Sequence, residues 1–274
     1  KNFNWMAGEV SRLLSETVHK ARMENELATV KAVQETLFPP RQFSSRGLQV
    51  RGHFEPATEC GGDWWHYCEI DGKVWLWIGD ATGHGAPAAL ITSAAKSASA
   101  IIEGIPDITP KRAIAILNKA IHETSKGKIM MTFFLGCFDP EKEELTYCNA
   151  SHDPPFLIRN MNRPLKKKEL EILFSVNGSR LGEKRDSQYE EAVISMKSCD
   201  TLLCYTDGIM DLEDKDGKPW GERAFVKTVL EMSGKPNDID LRMQHLIAKI
   251  GEHRGPQELV DDITFFMAKY GEAA

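Results

Sequence analysis

No stretch of this 274-residue chain approaches the roughly 18 uninterrupted apolar residues that a membrane-spanning helix needs, and no secretory leader opens it. There is no internal repeat and no low-complexity tract. Cysteine is sparse. The six residues, Cys60, Cys68, Cys137, Cys148, Cys199 and Cys204, form no C-x-x-C pair, and several lie in apolar runs where a buried thiol is ordinary. That usage fits a reducing cytoplasm. Nor is positive charge in excess: a net charge of −6 argues against a general attraction to nucleic acid or to an anionic membrane surface. What is present, 42% apolar and 27% charged residues, suffices for one globular core with an appendage.

The appendage comes first. From Asn4 to about Leu37 there is no proline, and Met6, Val10, Leu13, Leu14, Val18, Leu27, Val30, Val33 and Leu37 recur at roughly helical intervals. One long helix is expected, stopped at Phe38-Pro39-Pro40 because proline lacks the amide donor and restricts its predecessor. Such a helix serves packing or dimerisation, although its heptad register is irregular. Beyond it, strand patterns cover Leu48–Phe54, Val74–Ile78, Met131–Phe138, Leu145–Asn149, Ala192–Met196, Thr201–Tyr205 and Ile263–Met267. Short polar turns such as 139–144 favour antiparallel hairpins. Helical segments near 86–103, 110–125, 222–232 and 238–251 are long enough to cover sheet faces, so an α+β sandwich is expected. Lys166-Lys167-Lys168 reads as a solvated turn.

Four aspartates share a local design: Asp63 in Cys-Gly-Gly-Asp, Asp80 in Ile-Gly-Asp-Ala-Thr-Gly-His-Gly, Asp207 in Tyr-Thr-Asp-Gly, and Asp261 in Val-Asp-Asp-Ile-Thr. Each sits beside glycines or at the end of an apolar run, where strand ends can gather at one edge of a sheet. Clustered carboxylates repel and raise one another's pKa unless a cation neutralises them. An all-oxygen set selects hard ions such as Mg²⁺ or Mn²⁺. Gly61, Gly62, Gly79, Gly83, Gly85 and Gly208 would let the backbone bend and approach an ion or phosphate closely. Any one Asp-Gly pair is equally a common turn; four together point to a metal site.

In order and spacing, Cys-Gly-Gly-Asp-Trp-Trp, Gly-Asp-Ala-Thr-Gly-His-Gly-Ala-Pro-Ala-Ala-Leu, Asn-Ala-Ser-His-Asp-Pro-Pro, Tyr-Thr-Asp-Gly-Ile and Asp-Asp-Ile-Thr resemble the signature blocks of PPM (protein phosphatase 2C-like) phosphatases of the SpoIIE type. The resemblance runs from about Ala28 to Ala268, and Gln34-Glu35-Thr36-Leu37-Phe38-Pro39 is similar to the Gln-x-x-Leu-x-Pro stretch that precedes such domains. It implies a four-layer αββα sandwich of two antiparallel sheets flanked by helices, residues 38–270, behind a coupling helix, residues 1–37. It also implies two Mn²⁺ or Mg²⁺ ions held by Asp63, Asp80, Asp207 and Asp261 with the backbone carbonyl of Ala81. Asp261 is preferred to Asp262. The expected reaction is hydrolysis of phosphoserine or phosphothreonine on a protein partner, an anti-sigma-factor antagonist-like domain, by a water activated between two metals. No phosphate-clamping arginine is evident.

His84 and His152 are candidates for protonating the leaving alcohol or orienting phosphate, or for a purely structural role. Trp64 and Trp65 are expected to alternate, one buried and one exposed. His66 stands where many such domains carry another acidic residue. Asn2 to Val10 resembles the end of a HAMP linker, which makes this chain the expected cytoplasmic output of a larger, membrane-anchored signalling protein. Two such helices pairing as a homodimer would bias the metal-site end between competent and incompetent states. Two other readings compete. A nucleotide cyclase is suggested by Gly61-Gly62-Asp63 but loses the Glu-Phe that should follow, and a catalytically silent binding module would keep the fold without turnover.

Overall fold

The computed structural model describes residues 2–160 and 163–271. The chain runs α1 (Asn2–Glu35), β1 (Gln42–Ser45), β2 (Leu48–Glu55), β3 (Asp63–Ile70), β4 (Lys73–Ala81), α2 (Ala86–Ile102), α3 (Pro110–Ser125), β5 (Met131–Asp139) and β6 (Glu144–Ala150). It continues with β7 (Phe156–Ile158), β8 (Glu171–Ile172), β9 (Ala192–Ser195), β10 (Thr201–Tyr205), α4 (Gly208–Asp211), α5 (Gly221–Ser233), α6 (Ile239–Arg254) and β11 (Ile263–Tyr270).

Every strand pairing is antiparallel. One sheet has the order β1-β2-β11-β10-β7-β8 and the other β3-β4-β5-β6-β9. Helices α2 and α3 cover the outer face of the second sheet, packing Ile91, Ala95, Ile114 and Leu117 against Trp64, Trp75, Trp77 and Phe133. Helices α5 and α6 do the same for the first, setting Phe225, Val229 and Leu246 against Tyr205, Phe265 and Met267. Between the sheets lie Val50, Trp65, Leu76, Ile78, Phe134 and Phe266. The architecture is thus the four-layer αββα sandwich expected from the sequence.

Because each sheet is covered on both faces, alternation along its strands does not separate buried from exposed. Trp64 points to the helix layer and Trp65 to the inter-sheet layer, and both are buried, which corrects the expectation that one would face solvent. The strand β3 itself, and the short β1, β7 and β8, go beyond the strands expected from pattern.

The helix α1 is continuous over 34 residues and closes with a turn in which Thr36 and Leu37 amides donate to the Val33 and Gln34 carbonyls. Much of its described length is exposed, including Leu13, Leu14, Val18, Met23 and Val33, and i,i+4 pairs such as Arg22–Glu26 support it. Its last turns engage the sandwich, where Gln34 is buried. In the HAMP-like stretch, the backbone of Asn2–Val10 is helical; apart from Glu9, its side chains lie outside the described residues, as does Lys1. Among the described residues no helix is long and apolar enough to cross a membrane.

Candidate metal-dependent active site

The two sheets bring the aspartates to one end of the sandwich. Asp63 opens β3 and Asp80 nearly closes β4, so the antiparallel register sets them directly opposite each other. In the other sheet, Asp207 follows β10 by two residues and Asp261 precedes β11 by two, and the pairing of Tyr205 with Phe265 puts both at the same end. The sheets are tied across the gap by Thr206, whose hydroxyl donates to Asp63 Oδ2 at 2.8 Å while accepting from the Thr264 amide at 3.2 Å.

The adjacent pair Asp261-Asp262 divides its work. Asp262 is buried, and its carboxylate accepts from the backbone amides of Gly62 at 2.7 Å, Ala57 at 2.8 Å and, more weakly, Asp63 at 3.4 Å. Both of its oxygens are therefore committed, Oδ2 to the Gly61–Asp63 turn and Oδ1 to the Ala57 amide. Asp261 Oδ1 accepts only the next amide, that of Asp262, at 2.8 Å, leaving its second oxygen open. Glycine is required where the turn closes. A Cβ at Gly62 would lie 2.6 Å from the Ala81 carbonyl oxygen, and one at Gly208 would run into the Asp262 carbonyl.

This concentration of negative charge is electrostatically uncompensated. Burial, then the charges of Asp80 and Asp262, hold Asp63 well above the ordinary carboxylate range. Asp80 is pushed up to about 8, by burial first and then by Asp207, Asp261, Asp262 and Asp153. Asp207 and Asp261 are raised as well, each chiefly by burial. Among the described residues none of these carboxylates has an ion-pair partner. Partly desolvated, mutually repelling, all-oxygen groups, with the Ala81 carbonyl close to the Gly62 turn, suit a hard divalent cation. Their oxygens are spread more widely than a closed three-ligand cage, since no three of them converge within 4.8 Å among the described residues.

The structure adds residues that the sequence reading passed over. Asp153, in the Asn-Ala-Ser-His-Asp block, is raised to about 6 by burial and by Asp207, Asp211 and Glu222, so it borders the cluster. The signal was present, an acidic residue inside a quoted block, but no strand end marked it. Gln34 also reaches the site. Its amide donates to the Gly61 carbonyl at 2.6 Å and accepts from the Gly61 amide at 3.0 Å, clamping the turn to the end of α1.

The histidines differ. His152 is buried, bonded through Nδ1 to Thr132 Oγ1 at 2.9 Å, and its backbone is closed into a ring of hydrogen bonds with the Asn149 side chain. Burial lowers its pKa to about 4. A neutral imidazole so held positions the loop carrying Asp153 and is a poor proton donor near neutral pH. His84 is exposed on the 82–85 loop between Asp80 and α2.

Residues 70–271 match the family of Stage II sporulation protein E (SpoIIE). Over 211 residues the chain is 23% identical to Phosphoserine phosphatase RsbU of Bacillus subtilis (strain 168), covering 76% of this chain and 60% of RsbU. The chain therefore spans little more than half of that relative. The SiaA-PP2C domain of Pseudomonas aeruginosa shares the fold with a TM-score of 0.75 at 20% identity, over 92% of this chain and 98% of that one. RsbX, solved in complex with magnesium, shares it with a TM-score of 0.60 at 14% identity, over 84% of this chain and 98% of RsbX. With most of its length matched and both sheets and their helices in common, the chain belongs to the SpoIIE family and has the PP2C-like phosphatase fold.

Proposed function

We propose that this chain is a metal-dependent protein-serine/threonine phosphatase, with residues 1–37 as a coupling segment and 38–270 as the catalytic domain. The observation that carries the reading is the set of carboxylates gathered from both sheets around the buried Asp63, with no cationic side chain among the described residues to neutralise them. Asp63, Asp80, Asp207 and Asp261, with the Ala81 carbonyl, would hold two Mn²⁺ or Mg²⁺ ions. When bound, such ions activate water for attack on phosphorus and stabilise charge on the phosphoryl oxygens.

The chain's own residues set up that chemistry. Thr206 fixes the orientation of Asp63, Asp262 holds the Gly62 and Asp63 amides in place, and Gln34 fixes the preceding glycine. The substrate is a phosphoserine or phosphothreonine on a protein partner, an anti-sigma-factor antagonist-like domain. RsbU's name as a phosphoserine phosphatase supports that choice. The exposed apolar side chains Leu14 and Val18 on α1 support pairing of two such helices in a homodimer. Gln34 supplies a physical route from that helix to the catalytic turn, as expected of the cytoplasmic output of a membrane-anchored signalling protein.

The test is hydrolysis of an aryl phosphate near neutral pH with Mn²⁺, comparing the protein with Asp207→Asn at identical metal. Mn²⁺-dependent turnover that disappears in the variant is expected. Folded, metal-binding protein without turnover on either aryl phosphate or phosphopeptide would instead favour a silent binding module.

A further inference from the structure

We propose that His66, Cys68 and Glu103 form a second metal site, for a borderline transition-metal ion of the Zn²⁺ class, on the outer edge of the sandwich. One nitrogen, one sulfur and one carboxylate oxygen from these residues lie within 4.8 Å of one another, the one such convergence of three potential ligands among the described residues. His66 and Cys68 are two apart on β3, the edge strand of its sheet, and so face the same helix-covered side. Glu103 caps the C-terminus of α2.

The surroundings of His66 point to a ligand. The residue is 9% exposed, and its Nδ1 is buried without a hydrogen-bond partner. Its Nε2 is over-committed, lying 3.1 Å from Glu103 Oε1 and 3.0 Å from Lys96 Nζ. A single nitrogen cannot donate to the carboxylate and accept from the ammonium at once. If Nε2 lacks the proton, Glu103 faces a lone pair; if it carries one, the ammonium faces an N–H. Double protonation is opposed by burial and by Lys96, which lower the imidazole's pKa to about 3. The side chain is thus kept in the neutral form that binds metals.

A bound ion resolves this conflict. It takes an imidazole lone pair, draws in the Glu103 carboxylate and bonds Cys68 as thiolate, whose proton passes to solvent. The thiolate and carboxylate then balance the 2+ charge. Lys96, partly exposed on a flexible stem, already places a positive charge against the same imidazole and would turn outward. Sulfur and nitrogen donors favour zinc-like ions over Mg²⁺ or Mn²⁺, so the site is chemically distinct from the aspartate cluster. Three protein ligands leave a fourth, open position. The ion would pin the C-terminus of α2 to β3, the strand that begins with Asp63.

The test uses Co²⁺ added to the reduced, metal-stripped full chain, read by the near-ultraviolet thiolate-to-cobalt charge-transfer band that an all-oxygen site cannot give. One thiolate ligand per chain is expected, with Zn²⁺ displacing the cobalt. The band should vanish in Cys68→Ser and survive in Cys60→Ser and Asp207→Asn. Binding should weaken by more than about tenfold in Glu103→Gln, since losing a direct ligand exceeds the cost of losing an outer partner. Lys96→Met should bind more tightly by removing the competing charge. No band in the parent chain, a band that persists in Cys68→Ser, or one lost in Asp207→Asn overturns the proposal. Should Cys68→Ser fail to fold, unchanged affinity in both Glu103→Gln and Lys96→Met overturns it as well.

Discussion

The neighbouring residues Asp261 and Asp262 should respond oppositely to the same change. In Asp262→Asn the amide oxygen can still accept from the Ala57 amide, now 2.8 Å away, but the NH₂ group would then face the Gly62 amide, now 2.7 Å from Oδ2. The charge-assisted hydrogen bond from Gly62 and the weaker one from Asp63 are lost, leaving buried N–H groups without that partner, a cost of about 2–4 kcal/mol. For a domain of this size that lowers Tm by roughly 5–15 °C. In Asp261→Asn the accepting bond to the Asp262 amide survives, and a carboxylate that burial already disfavours becomes neutral. The metal-free variant should be as stable as the parent or slightly more so. Its Mn²⁺-dependent turnover should nevertheless fall by about a hundredfold or more, corresponding to roughly 3 kcal/mol of lost transition-state stabilisation. Thermal unfolding in chelator, paired with aryl phosphate hydrolysis across a Mn²⁺ titration, separates the two effects. If Asp261→Asn unfolds early while Asp262→Asn keeps its stability and loses metal dependence, the assignment of the two carboxylates is reversed and the reasoning fails.

Because Asp80 titrates near 8 when folded but near 4 when unfolded, the metal-free native state retains protons that the unfolded chain releases. Its stability should therefore fall as pH rises from about 4 to about 8, by a few kcal/mol, and Mn²⁺ should remove most of that slope; a flat profile in chelator would contradict it. Gln34→Ala leaves both backbone groups of Gly61 without their partner, and should reduce turnover about tenfold or more while the circular dichroism spectrum stays that of the parent. Unchanged activity would sever α1 from the catalytic turn. Trp64→Ala and Trp65→Ala should each cost about 3–5 kcal/mol in urea unfolding, because both indoles are buried in separate layers. A loss below 1 kcal/mol in either would restore the exposed-tryptophan expectation.

The elements read best from sequence were those whose ends carry their own chemistry. The helix expected at 110–125 has Thr109 accepting from the Arg112 amide at one end and Lys126 in a left-handed conformation at the other, so its limits are local. The run Thr201–Tyr205 is apolar after its first residue because it is buried on both faces, and it too matches. The strand β3 escaped because His66 and Glu69 break the apolar run, while the aromatic pair before them defeats alternation. Strands β7 and β8, three and two residues long, are held by partners distant in sequence and carry no periodicity of their own.

The same division governs the site. The aspartates were legible because Asp63, Asp80 and Asp207 abut glycine at a strand end and Asp261 stands just before an apolar strand, which are local marks. What holds them was not, since those contacts join positions far apart: Thr206 to Asp63 across 143 residues, Asp262 to Gly62 across 200, and Gln34 to Gly61 across 27. Asp261 and Asp262 are indistinguishable by composition, and only the backbone amides around them separate a carboxylate that supports the turn from one with an oxygen to spare. The Gly61–Asp63 turn is therefore held from three directions: by the helix α1 through Gln34, by β11 through Asp262 and by β10 through Thr206. A divalent cation bound at Asp63 would add a fourth restraint to the same short segment. Whatever free energy the docking of α1 lends to cation binding must, by linkage, be returned as tighter docking of α1 when the cation is present.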